Sequence, residues 1–346
     1  MLRNPIVADL SMENEFDFMN EGQSSPPLVT IILTTLNSAR YVERSVQSCL
    51  AQTYTNLELI IVDGGSTDGT LAVLAAYRDP RIRIIHQQGN QGKLPGALNL
   101  GMANANGCYI TWTQDDSWYE PDAIHVMVEQ LENCHDVGLV YTDFWCVDEE
   151  GKPFKYQAVN PPEPEFFLVE DVVGQCFLFR REVYEKVGPQ DVQYFPVHEV
   201  PWRLKITYHF NLLALHRPLL YYTLHDESLT GRIGGWELQR IALHALQAEH
   251  YVDQRFLRRQ LAQIDIDQAF DAFVVHGDFG AFRRLAFRGI RSDMRHLRNW
   301  GCLKLFLISL LPIREACQRR MQTAWEEQQQ SNLFRALSLS ISRNIQ

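Results

Sequence analysis

From Leu28 onward, apolar strand-like runs and helix-patterned segments take turns, and this rhythm restricts the possible folds more than any other feature of the chain. The run "LVTIILTT" is β-branched and apolar, and "SARYVERSVQSCLAQ" follows with helical spacing and Ser38 in place to cap it. "LELIIVD", "RIRIIHQ", "CYITWTQ" and "VGLVYTDFWCVD" read as further strands. Between them stand the helical stretches "TLAVLAAYRD", "LPGALNLGMANA" and "PDAIHVMVEQLEN", the last with Pro121 in its first turn. Strands alternating with helices in this way build βαβ units. The fold class is therefore α/β, with a mostly parallel central sheet and helices on both faces.

After about Gly151 the rhythm breaks. "DEEGKPFKYQAV" reads as a hairpin, "NPPEPE" as a proline-rich connector, and "GQCFLFRREVYEKVG" as a short strand entering a helix. "HEVPWRLKITYHF" reads as a helix with Pro201 in its first turn, and "NLLALHRPLLYYTLHDES" as two strands. From Trp236 the pattern is helical and rich in Arg, Gln and Leu. The expected organisation is a mobile leader over 1–27, one domain over 28–235 and a helical region over 236–346. The central domain divides into a first half, 28–150, and a second half, 151–235.

The formal net charge of −10 argues against a general nucleic-acid binder. The charge is uneven, because Tyr251–Gln346 holds 15 Lys and Arg against 9 Asp and Glu. A basic tail of this kind suits contact with an anionic surface such as lipid headgroups, and equally suits a solvated helix face. Seven cysteines without a CxxC pair fit reduced thiols in a cytoplasm. "CLKLFLISLLPI" is too short to span a bilayer and reads as a buried or interfacial helix.

The chemistry concentrates in acids at strand ends. Asp63 closes the apolar strand "LELIIVD", and Asp115 and Asp116 close "YITWTQDD". In a parallel sheet these ends share one edge, which is where open α/β sheets bind ligands. Adjacent carboxylates repel unless a cation or strong donors sit between them. Hard oxygen ligands suit Mn²⁺ or Mg²⁺, which commonly bridge one or two carboxylates and substrate phosphate oxygens. An acidic loop that only caps the next helix is the plainer alternative. No GxxxxGK[ST] occurs, and "TTLNSARY" stands where a dinucleotide fold would carry GxGxxG.

Ordered blocks settle the direction: "VTIILTTLNSARYVERSVQSCLAQTYTNLELIIVDGGSTDGT", "GNQGKLPGALNLGMANANGCYITWTQDDSWYEPDAI" and "LFRREVYEKVG", within a span of roughly Leu28 to Leu229. Together they closely resemble the family 2 glycosyltransferases of the GT-A fold, which are similar in inverting the anomeric centre. The resemblance implies that Thr34, Thr35 and Asn37 line a nucleotide pocket. It implies that Asp63 accepts a hydrogen bond from the base and that Lys93 contacts diphosphate or base. Asp115 and Asp116 fall on the family's metal-binding acid motif, with two acids here rather than three. Asp115 is assigned to the nucleotide and Asp116 to the metal, with His225 of "YYTLHDES" joining it from a closing loop.

The resemblance further implies a carboxylate base just before a helix. In "VHEVPWRLKI" that place falls to Glu199, with His198 before it; Asp143 and Asp191 are the other acids considered. The expected activity is transfer of a sugar from a nucleotide-diphosphate sugar to a hydroxyl of a glycan or lipid-linked acceptor. The expected place is the cytoplasm, with peripheral membrane contact through the basic C-terminal helices. Two rivals stand beside it. A nucleotidyltransferase would need a Gly-rich basic phosphate loop that "TTLNSARY" lacks. A non-catalytic nucleotide-sugar-binding or scaffold relative would explain "HE" in place of the usual "ED".

Overall fold

The computed structural model describes residues 25–88, 93–159, 173–226, 228, 232–293, 305, 309 and 315–325. Contacts divide the chain into two compact units, Met1–Ser228 and Leu229–Gln346. The proline-rich connector and most of "CLKLFLISLLPI" lie outside the described residues.

The first unit opens with β1 (Val29–Thr35), α1 (Val42–Leu50), β2 (Leu57–Asp63), α2 (Thr70–Ala75), β3 (Ile82–His86), α3 (Lys93–Asn104) and β4 (Tyr109–Gln114). It continues through β5 (Trp118–Tyr119), α4 (Ala123–Asn133), β6 (Val137–Thr142), β7 (Phe144–Val147) and β8 (Pro153–Gln157). β9 (Cys176–Arg180), α5 (Arg181–Val187), a 3₁₀ turn at Val192–Tyr194, α6 (Glu199–Thr207), β10 (Asn211–Leu215) and β11 (Leu220–Thr223) complete it.

Seven strands form one sheet in the order β10-β6-β9-β4-β1-β2-β3. β1 pairs in parallel with both β2 and β4, and β9 runs antiparallel between β4 and β6. Every residue of β1 is buried, which is why its sequence is continuously apolar or threonine instead of alternating. Ile31, Ile32 and Leu33 are fully buried between the helical layers. Gly101 of α3 lets that helix lie close on β1, since a Cβ there would sit 2.5 Å from Ile32 Cγ2. Gly107 holds the turn into β4 so tightly that a Cβ would meet the Thr30 nitrogen at 2.5 Å and the Tyr109 oxygen at 2.6 Å.

Three local expectations change. "VGLVYTDFWCVD" is not one strand: it breaks at Asp143, and β7 joins a second sheet of order β5-β11-β7-β8. The reason is Asp143 itself. It is fully buried and draws its carboxylate partners, the Val159 N–H and the Tyr156 hydroxyl, from the second sheet's side. α1 begins only at Val42 and has no side-chain cap; Ser38 contributes its carbonyl, which accepts from the Tyr41 and Val42 N–H groups. Pro121 stands just before the N-cap of α4, Asp122, rather than inside the first turn.

In the second unit α7 (Gly235–Ala248), α8 (Gln254–Val274) and α9 (Phe279–Ser292) are joined by a helical stretch over 315–325. Phe273, Phe282, Ala269 and Ala286 form a buried seam between α8 and α9. Asp265 of α8, itself buried, accepts from Arg288 of α9 at 2.6 and 2.7 Å and from Arg240 of α7 at 2.6 Å. Three helices are thus tied by one carboxylate. Among the described residues no helix is long and apolar enough to cross a membrane.

Candidate active site

The strand order reverses direction between β1 and β4, so their carboxyl ends open the crevice where an α/β sheet holds a ligand. The loops at this edge are built largely by side chains bonding to backbone. Asn37, at φ 54°, accepts from the Thr67 N–H at 2.8 Å and donates its own N–H to Ser66 Oγ at 2.9 Å. Asp68 accepts from the Thr70 N–H and the Ala39 N–H, and Ser38 donates its N–H to Thr70 Oγ1. The loop after β1 is therefore zipped to the loop after β2. Thr34 and Thr35, both buried, end β1 just beneath it.

Asp63 is 1% exposed at the end of β2. It accepts from the Ser66 N–H at 3.0 Å and the Gly65 N–H at 3.2 Å, and His86 Nδ1 lies 3.3 Å away. Burial pushes this carboxyl up, but the donors of Ser66, His86 and Gly65 outweigh it and hold the group below the usual carboxylate range. Lys93 begins α3 with φ 53°, and its Nζ lies 4.6 Å over the Phe195 ring. Asn99 locks α3 to the chain after α5 by a reciprocal pair with the Gln190 backbone, at 2.7 and 2.8 Å.

Across the crevice, Asp115 Oδ2 accepts from the Leu36 N–H at 3.2 Å and so connects the ends of β4 and β1. Burial and the neighbouring Asp116 charge push the Asp115 carboxyl up to about 6, against donors at Thr35, Leu36 and Ser38. Asp116 is raised as well, by burial, while His225 and Ser117 oppose the rise. His225 Nε2 lies 3.1 Å from Asp116 Oδ2, and Thr223 Oγ1 donates to the Asp116 carbonyl. The end of β11 is thereby closed onto the end of β4. His225 also packs on Tyr41, with ring centroids 5.1 Å apart, while its Nδ1 is buried without a hydrogen-bond partner.

These groups fit a divalent cation. Two crowded carboxylates, an imidazole on one of them and an unpaired ring nitrogen form a donor set that gains from a positive charge. Among the described residues no three His, Cys, Asp or Glu side chains are grouped to hold a metal. Asp116 and His225 would supply two ligands to such a cation, which suits one completed by phosphate oxygens rather than by a protein cage.

The structure brings Asp63, Asp115, Asp116, Thr34, Thr35 and Asn37 to one edge and adds His225 to it. Glu199 stands on the first turn of α6 and forms an ion pair with Arg203, Glu199 Oε2 to Arg203 Nη2 at 2.8 Å. Arg203 also donates to the Gly174 carbonyl at 3.0 Å, next to Gln175, whose Oε1 accepts from Gln114 Nε2 at 3.1 Å. A chain of contacts thus runs from Glu199 to the residue preceding Asp115. Sequence reasoning missed Arg203 and Gln114; the i,i+4 spacing of Glu199 and Arg203 was the available signal for the first. Asp143 is fully buried and engaged, and Asp191 caps the 3₁₀ turn through the Gln193 N–H at 3.0 Å. Neither faces the crevice as a free carboxylate.

This strand order, with its carboxylate-lined switch point, defines a protein of the GT-A fold. Two solved structures share it: S. aureus TarS 1-349 in complex with UDP-GlcNAc, at a TM-score of 0.52, and the Pyrobaculum calidifontis mannosyltransferase PcManGT in complex with GDP-Man and Mn²⁺, at 0.54. Each is 16% identical; the chain is covered to 87% in both cases and spans 92% and 85% of those chains. The model of the family described as Glycosyl transferase family 2 matches residues 30–188. An uncharacterized glycosyltransferase of Rickettsia prowazekii is 27% identical over 243 residues, 67% of this chain and 72% of that one. Residues 30–188 of the chain thus match a family 2 glycosyltransferase domain. The matched span contains Asp63, Asp115 and Asp116 and ends before Glu199 and His225.

Proposed function

We propose that the protein transfers a sugar, with inversion, from a nucleotide-diphosphate sugar to a hydroxyl of a glycan or lipid-linked acceptor, assisted by Mn²⁺ or Mg²⁺. The contact between Asp116 and His225 carries this reading, because it joins two strand ends separated by more than a hundred residues at the switch point. Asp63, Lys93, Thr34, Thr35, Asn37 and Asp115 take the nucleotide, and Asp116 and His225 hold the cation. A bound cation supplies charge neutralisation for the departing diphosphate. Glu199 accepts the proton of the acceptor hydroxyl as its oxygen bonds to C1 and the C1–O bond to the diphosphate breaks. Orientation supplies much of the remaining acceleration, and the hydrogen-bonded loops after β1 and β2 are built for it.

The first unit is the transferase domain in this reading, and the second supports peripheral membrane contact. On α9 an exposed stripe of Arg284, Phe287 and Arg291 sets one aromatic, 62% exposed, between cations. That pattern suits an anionic lipid surface.

Calorimetric titration of UDP, GDP and dTDP, each with and without Mn²⁺, tests the donor site. Tight binding of one nucleotide that requires Mn²⁺ and is lost in Asp116→Asn is the expected result. Absence of binding by all three in folded protein refutes it and favours a scaffold built on the same fold.

A further inference from the structure

We infer that Arg203 is a positioning residue for the Glu199 base and couples it to the nucleotide edge. The inference rests on the reading of Glu199 as the base. Arg203 is 3% exposed at its side chain and Glu199 17%, so this is a semi-buried pair rather than a surface one. Three partners fix the guanidinium. It bonds Glu199 Oε2 at 2.8 Å, it donates to the Gly174 carbonyl at 3.0 Å, and its carbon lies 5.1 Å above the Phe177 ring of β9. A planar fork held on three sides has one orientation, and so does the carboxylate bound to it.

The far side of this clamp leads to the nucleotide. Gly174, at φ 63°, turns the chain into Gln175, and Gln175 accepts from Gln114, the last residue of β4. Asp115 follows Gln114 directly and is bonded to Leu36. A shift at the β4 end therefore reaches Glu199 through three hydrogen bonds and one turn.

The titratable and charged groups about this helix end are few. His198, on the same turn, is buried and held neutral, pushed down to about 3 by burial and by the Arg203 charge. Lys93 of α3 faces the Phe195 ring, which in turn stacks on His198 with centroids 6.3 Å apart. Arg203 is thus the cation in direct contact with Glu199. It holds the carboxylate by Oε2 and so sets how the group is oriented.

The test measures nucleotide diphosphate release from UDP-GlcNAc, UDP-Glc and GDP-Man as probes, with kcat and KM followed from pH 4.5 to 9. Arg203→Gln removes the charged fork while keeping a polar side chain. Its plateau kcat should fall roughly ten- to a hundredfold with the probe's KM within about twofold of wild type. Arg203→Lys should restore little of the plateau, since it returns the charge without the fork. Free guanidinium should rescue Arg203→Ala. If Arg203→Gln does not fold, Glu199→Gln/Arg203→Met removes both charges, and the Arg203→Lys and rescue measurements decide. A normal plateau kcat in the folded variants overturns the inference while leaving the Glu199 assignment intact. Full turnover by Glu199→Gln, or no turnover of any probe by wild type, overturns the catalytic reading beneath it.

Discussion

Asp115 makes a quantitative demand on the metal-free protein. Its carboxyl is pushed from 3.8 to about 6, so in the pH interval between those values the folded chain binds a proton that the unfolded chain has released. Stability then falls as pH rises, because the slope follows the protons bound in the unfolded state minus those in the native state. Two units at about 1.4 kcal/mol each give ~3 kcal/mol as the upper value. Asp115 is partly exposed, and solvent screening brings the expectation to about 1–3 kcal/mol. For a unit of this size that corresponds to a Tm difference of roughly 2–10 °C. Asp115→Asn removes the titration. The Tm difference between variant and wild type, measured by circular dichroism without divalent ions, should therefore grow in the variant's favour from about pH 4 to pH 6 and then level off. Adding Mn²⁺ with the cognate nucleotide diphosphate should reverse the trend for wild type, since the charged form is then the bound form, and affinity should weaken about tenfold per pH unit below 6. Parallel Tm curves for wild type and Asp115→Asn across this range would show that the two carboxylates are not buried together, and the site as described would fail.

Further outcomes follow from single contacts. Glu199→Gln should lower kcat by about 10²–10⁴ while leaving nucleotide affinity unchanged, which calorimetry beside a turnover assay separates. Gly107→Ala places a Cβ against backbone at 2.5–2.8 Å and should destabilise the first unit by more than the ~1–3 kcal/mol of ordinary overpacking, read by urea denaturation. Asp265→Asn leaves two guanidinium groups without their shared anion and should lower the stability of the second unit by about 3–5 kcal/mol. Sedimentation with anionic liposomes should drop in Phe287→Ser/Arg284→Glu relative to wild type, and equal partitioning would remove membrane contact from the reading.

The parallel half of the fold was legible because each strand buries both faces. Such strands must be written as apolar runs, and the βα alternation then leaves few topologies. The second sheet was not legible for the same reason in reverse. Phe144–Val147 is as apolar as Val137–Thr142, and nothing in periodicity marks where one sheet ends and another begins. Asp143 was the signal, an acid inside an apolar run, and its reading required knowing that Tyr156, Val159 and His216 would converge on it. The same limit holds at the site. Asp63, Asp115 and Asp116 announce themselves as carboxylates at strand ends. The pairing of Asp116 with His225 depends on a return of the chain across 109 residues, which no local pattern encodes.

The acid that ends β2 shows how structural and functional demands combine in one residue. Asp63 spends its oxygens on the Gly65 and Ser66 N–H groups, so the turn after β2 needs it whether or not a ligand is present. That commitment also keeps the carboxylate ionised while buried, since the donors of the turn exceed the cost of removing it from water. Asp115 is the converse. It too is crowded, but its neighbour is another acid, and its donors do not offset burial and repulsion. One edge of one sheet therefore holds a carboxylate stabilised as an anion by its own loop and another that lacks a counter-charge. The first is fit to accept hydrogen bonds from a neutral base, and the pair at the end of β4 is fit to receive a cation. Chemistry divides along the sheet edge because the loop after β2 supplies backbone donors and the loop after β4 supplies few.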